Sequence, residues 1–197
     1  MGTSLRQWMG RPHQLLSRPW LWAPLVFVID FVTKRLVLAN EEVLRARVSI
    51  IGDLVRFIYV RNSGSAMDLF PVGRVTLIGV SVLASLFIIY LYRTTDPRQR
   101  VRLGAMAAIL GGALGNLVDR IFYDGSVVDF IDVGLGTHRF YTFNVADIGV
   151  TIGGVILFLC ILFEGRQVNE GRQAIEDRHE NNDPVIPEPP MSDGDVS

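Results

Sequence analysis

Hydrophobic positions along this chain gather into four long runs, and the polar positions crowd between the runs instead of alternating through them. The runs cover residues 21–38, 75–92, 103–118 and 146–163. About 20 apolar residues cross a bilayer as a helix, and inside hydrocarbon a single segment satisfies its backbone only by being helical. The pattern therefore predicts four membrane-crossing helices. The third run, "LGAMAAILGGALGNLV", is rich in small residues, and Gly111 and Gly115 form a GxxxG pair that lets another helix approach closely.

Between the runs the pattern changes period. "SIIGDLVRFIYVRN" is β-branched and aromatic with partial alternation, which predicts two short strands or one bent strand. "HRFYTF", just before the fourth run, predicts a second short extended piece. Together they suggest a small β-platform on one membrane face. From about Gly165 the chain turns polar and acidic and contains "NNDPVIPEPPMSDGDVS", a composition that cannot build a core and predicts a disordered tail. The expected organisation is an N-terminal segment over residues 1–20, a membrane domain over 21–164 and a tail over 165–197.

Charge sets the orientation. Arg6, Arg11 and Arg18 precede the first run, and Arg93, Arg98, Arg100 and Arg102 lie between the second and third against the single acid Asp96. Cytoplasmic loops carry the excess of arginine and lysine, so both chain ends are expected in the cytoplasm and residues 39–74 and 119–145 outside. The N-terminal stretch is not expected to be a cleaved signal peptide, since its apolar run is long and holds Asp30 and Lys34. The lone Cys160 allows no disulfide framework, and with only His13, His138 and His179 a zinc site is not expected.

The candidate chemistry lies in "VVDFIDVGLGTHRFYTFNVADIGV", residues 127–150. Asp147 falls in the first turn of the fourth helix, and Asp129 lies in the outer segment before it. The turn-prone "GLGTH" between them gives the chain room to fold back and bring the two side chains together. Adjacent carboxylates share a proton, so one can deprotonate a water while the other donates to a carbonyl oxygen. The helix N-terminus would favour the ionised form of Asp147, as suits a base. The pattern leaves a plain helix cap open as well. Asn116, Asp119 and Arg120 share a face at the end of the third helix, where an interfacial salt bridge is the alternative to a functional cluster. Asp30 and Lys34 lie four apart inside the first run, as a structural ion pair or a support near the site.

Five motifs in order, "FVIDFVTK", "VRNSGSAM", "GGALGNLVDR", "VVDFIDV" and "FNVADIGVTIG", resemble those of the lipoprotein signal peptidases (signal peptidase II), over residues 26–163. The resemblance implies a bacterial inner-membrane aspartic protease with a four-transmembrane-helix bundle and a small extracytoplasmic β-cradle. It implies an activity that removes signal peptides from diacylglyceryl-modified prolipoproteins, cutting just before the lipidated cysteine. By motif, Asp129 and Asp147 become the catalytic dyad. Asn62, Gly64, Asn116, Arg120 and Asn144 become polar supports or substrate contacts. Asp119 would orient Arg120 or steady the helix end, and Asp30 and Lys34 would be supports. Met67 stands where the family usually has phenylalanine. Asp132 ranks below Asp129, as a solvated loop acid. No metal or organic cofactor and no nucleic acid is implied; the expected partners are prolipoproteins and membrane lipid, and the expected state is a monomer. A proton-coupled carrier with Asp30, Lys34 and Asp147 as relay, or a membrane scaffold, is the rival reading.

Overall fold

The computed structural model describes residues 18–63 and 73–181. A single 3-10 turn, Pro19–Leu21, leads into helix α1 (Trp22–Ala39). Pro24 sits in the first turn of α1, where a missing N–H costs nothing. A short helix, α2 (Glu41–Arg45), follows, then strands β1 (Val48–Ile51) and β2 (Val55–Asn62). Helices α3 (Arg74–Thr94) and α4 (Arg100–Phe122) come next, then strands β3 (Val127–Leu135) and β4 (His138–Arg139), and finally α5 (Val145–Asn181).

Among the described residues, three helical stretches are long and apolar enough to cross a membrane: Arg74–Thr94, Arg100–Phe122 and Val145–Glu164. The fourth expected span, α1, forms as a helix but carries Asp30, Lys34 and Arg35 within its 18 residues. The burial is inverted relative to a water-soluble fold. Val75, Leu83, Phe87 and Tyr90 of α3 and Ile152, Val155 and Phe158 of α5 are exposed, while Asp30, Lys34, Asp119, Asp129 and Asn144 are buried. A bilayer would cover those apolar faces.

Helix α4 is central, and its glycines explain why. A Cβ on Gly111 would collide with the Ala23 carbonyl of α1, and one on Gly115 with the Asp30 carboxylate of the same helix. A Cβ on Gly112 would collide with the Ala146 carbonyl of α5. The Gly111/Gly115 pair thus does admit a close helix, and Gly112 admits a second on the adjoining face.

The four strands form one antiparallel sheet in the order β1-β2-β3-β4. The stretch "SIIGDLVRFIYVRN" is two strands, turned at Gly52 with φ of 49°. β2 pairs with β3 through Val60↔Asp129 and Asn62↔Val127, with an irregularity between Phe57 and Val60. Val128 and Phe130 of β3 join Val37 and Leu44 in a small core, with Phe57 edge-on to Phe130. Alternation along the strand then turns Asp129 away from that core.

Compact packing divides the chain into residues 1–160 and 161–197. Helix α5 does not end at Gly165, where disorder was expected; its backbone stays helical through Asn181. The reason is composition: glutamate, arginine, glutamine and alanine dominate residues 166–180 and are good helix formers, while the prolines come later. Gly64 and Met67 lie outside the described residues.

Candidate active site

β3 and the start of α5 position the two acids. After β4 the chain runs back along β3, and Phe143 exchanges backbone bonds with Ile131, N–H to O at 3.1 and 2.8 Å. That pairing sets Asn144, the next residue, beside Asp129. Asn144 is wholly buried, and it caps α5 reciprocally. Its Oδ1 accepts from the Asp147 backbone N–H at 3.0 Å, and its own N–H donates to Asp147 Oδ2 at 3.2 Å. This is a capping box with aspartate in the third helical position. The side chain of Asn144 meanwhile donates to Asp129 Oδ1 at 2.6 Å. One asparagine therefore touches both carboxylates.

Two more asparagines complete the arrangement. Asn62, at the end of β2, donates to Asp129 Oδ2 at 2.9 Å. Asn116 of α4 donates to Asp147 Oδ1 at 2.8 Å, and its own Oδ1 accepts from Asn144 at 3.2 Å. Among the described residues, each of the four carboxylate oxygens thus receives one donor. Asp129 is 2% exposed. Burial, with the charge of Asp147 adding to it, pushes its pKa up to about 6, against the lowering pull of the Asn62 and Asn144 bonds and of Lys34.

Beneath the dyad lies a sealed group of charges. Lys34 is 1% exposed, and its Nζ stands 2.8 Å from Asp30 Oδ2, 3.0 Å from Asp119 Oδ2 and 2.8 Å from Asn116 Oδ1. The Asp30 contact is a close ion pair outside hydrogen-bond alignment. Asp30 Oδ1 accepts the Ala146 N–H at 2.8 Å, and Asp119 Oδ2 accepts the Val128 N–H at 3.1 Å. Arg120 is within electrostatic reach of Asp147, Asp129 and Asp119, and it donates to Ser81 of α3 at 3.3 Å.

Two expectations need correction. Of the two roles expected for Asp119, the first is not seen as a hydrogen bond: its carboxylate contacts Lys34 and the Val128 N–H at the start of β3, and Arg120 only at longer range. Asp132 is not a solvated loop acid. It is 5% exposed on β3 and paired with Arg56 at 3.0 Å and Arg139 at 2.8 Å. The Arg139 hydrogen bond, with Arg56 beside it, holds its carboxyl below the usual range. Ser81 was not anticipated as a partner of Arg120, since a lone serine in an apolar run carries no signal.

An apolar groove of about 460 Å³ runs between α1, α4 and α5. Val145 and Ile148 line it on either side of Asp147 in sequence, and Trp22, Gly104 and Gly153 continue it along the bundle.

A family profile described as "Signal peptidase (SPase) II" matches residues 22–163. The chain belongs to the signal peptidase II family. The lipoprotein signal peptidase of Desulforapulum autotrophicum is 37% identical over 153 residues, covering 75% of this chain and 93% of that one. That of Wigglesworthia glossinidia brevipalpis is 39% identical over 136 residues, covering 67% and 86%. Among solved structures, a bacterial membrane enzyme determined in meso at 2.3 Å superposes with a TM-score of 0.68 at 25% identity, covering 75% of this chain and 88% of that one. A second, at 1.9 Å, gives 0.67 at 26% identity, covering 73% and 92%. The chain is thus a membrane aspartic protease of signal peptidase II type, and the carrier reading is not favoured. Asp30, Lys34 and Asp147 also sit in one cluster, not in a relay across membrane depth.

Proposed function

We propose that Asp129 and Asp147 are the catalytic dyad with which this signal peptidase removes signal peptides from prolipoproteins. The observation that carries the reading is the double contact of Asn144, which ties the two carboxyls to one buried side chain. Asp129, with its raised pKa, holds the shared proton. Asp147 takes a proton from water, and the resulting hydroxide attacks the scissile carbonyl. Asp129 gives its proton to the carbonyl oxygen as the tetrahedral carbon forms. Collapse reverses the roles: Asp147 protonates the departing amine and Asp129 recovers its proton. Asn62, Asn116 and Asn144 hold both carboxyls in place by one hydrogen bond to each oxygen.

In this reading α1 joins the other three helices as a fourth crossing, with Asp30 and Lys34 turned inward. The sheet is an extracytoplasmic cradle and both chain ends are cytoplasmic, as the arginines of the N-terminal segment and of the α3–α4 connection favour. The substrate carries a diacylglyceryl group and is cut just before its lipidated cysteine by a monomeric enzyme. The groove beginning at Val145 and Ile148 offers hydrocarbon a place beside the dyad, and burying an acyl chain contributes about 0.8 kcal/mol per methylene. The test is cleavage of a diacylglyceryl-modified prolipoprotein by the purified chain. Activity is expected in the parent and abolished in folded Asp129→Asn and Asp147→Asn; full activity in either variant removes that residue from the mechanism.

A further inference from the structure

The asparagines aim the dyad, and something must aim the asparagines. An amide has nearly the same shape with its oxygen and nitrogen exchanged, so packing alone does not decide which end of Asn116 faces Asp147. Lys34 decides it. An ammonium offers donors only, so Asn116 must turn Oδ1 toward Nζ, at 2.8 Å, and Nδ2 toward Asp147 Oδ1, at 2.8 Å. In the reversed amide an oxygen would face a carboxylate and a nitrogen would face a cation.

The other two contacts of the same ammonium lead to the same place. Through Asp30 it reaches the N–H of Ala146, the residue before Asp147. Through Asp119 it reaches the N–H of Val128, the residue before Asp129. Helix α1, helix α4, strand β3 and helix α5 therefore meet at one buried nitrogen. A buried cation with two buried acids is costly to desolvate, and replacing such a group with apolar side chains is often neutral or stabilising. Stability alone does not account for it.

Resting on the dyad assignment above, we propose that Lys34 is the positioning residue of this active site: its ammonium fixes the orientation of Asn116 and anchors the backbone just before both catalytic aspartates. The charged groups around it are Asp30 of α1, Asp119 and Arg120 of α4, Asp129 of β3 and Asp147 of α5. Its charge also restrains the pKa of Asp129, so its loss moves that titration upward.

The experiment compares steady-state cleavage of a diacylglyceryl-modified prolipoprotein by full-length wild type, Lys34→Met, Lys34→Gln, Asn116→Ala and Lys34→Met/Asn116→Ala. A neutralised variant, Lys34→Met with Asp30→Asn and Asp119→Asn, removes the carboxylates that Lys34→Met leaves unpaired and serves if the single variant does not fold. Lys34→Met, or the neutralised variant in its place, is expected to lose about 100-fold in kcat with KM within about threefold. The alkaline limb of the Lys34→Met pH profile is expected to move to higher pH. Lys34→Gln regains part of kcat through its amide donor, and Lys34→Met on the Asn116→Ala background costs little more than Asn116→Ala alone. Wild-type kcat in the neutralised variant at wild-type Tm overturns the proposal, leaving a structural ion pair only, and so does full additivity with Asn116→Ala. Failure of the wild type to cleave, or cleavage by Asp129→Asn, overturns the dyad assignment instead.

Discussion

Replacing Asp129 with asparagine should make the protein more stable at neutral pH while abolishing its activity. The native carboxyl is raised from its ordinary 3.8 to about 6, chiefly by burial. For an acid raised on folding, the native state binds the proton more tightly than the unfolded chain. The linked stability is therefore fully present below pH 3.8, falls as pH rises toward 6, and is flat above that. At 1.36 kcal/mol per pH unit, the full loss is about 3 kcal/mol. The Asp129→Asn side chain carries no such penalty, but its amide nitrogen would face either Asn62 or Asn144, both donors to Asp129 in the native protein. One mismatched hydrogen bond costs about 1 kcal/mol at every pH. The variant should then be less stable by about 1 kcal/mol at pH 4 and more stable by about 2 kcal/mol at pH 7.5. For a chain of this size the latter is a rise of about 4–8 °C in Tm. Thermal unfolding in detergent micelles, followed by tryptophan fluorescence at both pH values, reads the difference, and the other buried acids cancel because both proteins contain them. A gap that stays constant between pH 4 and 7.5 would refute the reasoning.

Two further outcomes test the frame around the dyad. Gly112→Ala drives a methyl into the Ala146 carbonyl, a backbone atom that cannot step aside, and to 2.9 Å from Val150. It should cost about 1–3 kcal/mol and reduce turnover by moving Asp147; a variant with parental Tm and full cleavage would contradict the close contact of α4 and α5. Asp132→Asn removes the more buried of the two carboxylates that Arg56 and Arg139 share, leaving Asp53, and should cost about 1–3 kcal/mol at pH 7. Because that carboxyl is lowered on folding, its contribution is present above the ordinary aspartate pKa and lost as pH falls through the native one, so the Tm gap should close in acid.

The helices were legible because an apolar run of bilayer length has few other solutions, and the paired strands were legible because β-branched residues cluster on either side of a glycine turn. Close helix approach at Gly111 and Gly115 was legible for the same reason: small residues in helical register have little else to do. The three asparagines around the two acids could be picked out by motif, but their hydrogen-bond directions could not, since those depend on partners up to 82 positions apart. The partner of Asp119 was not legible, because sequence proximity pointed to Arg120 whereas the fold supplied Lys34 from another helix. Asp132 was misjudged although the information was available. It stands three residues from Asp129 on a regular strand, so the two side chains must leave opposite faces, and the acid that does not face the dyad is free to take the arginines.

That opposition shows how one strand prepares two carboxyls for different tasks. Asp129 and Asp132 share one strand and are both little exposed, but their surroundings differ: Asp129 lies deep against two neutral amides, whereas Asp132 lies shallow between two guanidiniums. Amides satisfy hydrogen bonds without returning the electrostatic energy that deep burial removes, so Asp129 holds its proton to higher pH than Asp132 does. The about 3 kcal/mol that the ionised Asp129 costs at neutral pH is thus the same quantity that raises its carboxyl to about 6, where it holds a proton that an ordinary aspartate has already lost. If Asp129 is the acid proposed, Asn62→Lys, which sets a cation where an amide now donates to Asp129, should move the alkaline limb of the cleavage profile to lower pH; a limb that does not move would contradict the assignment.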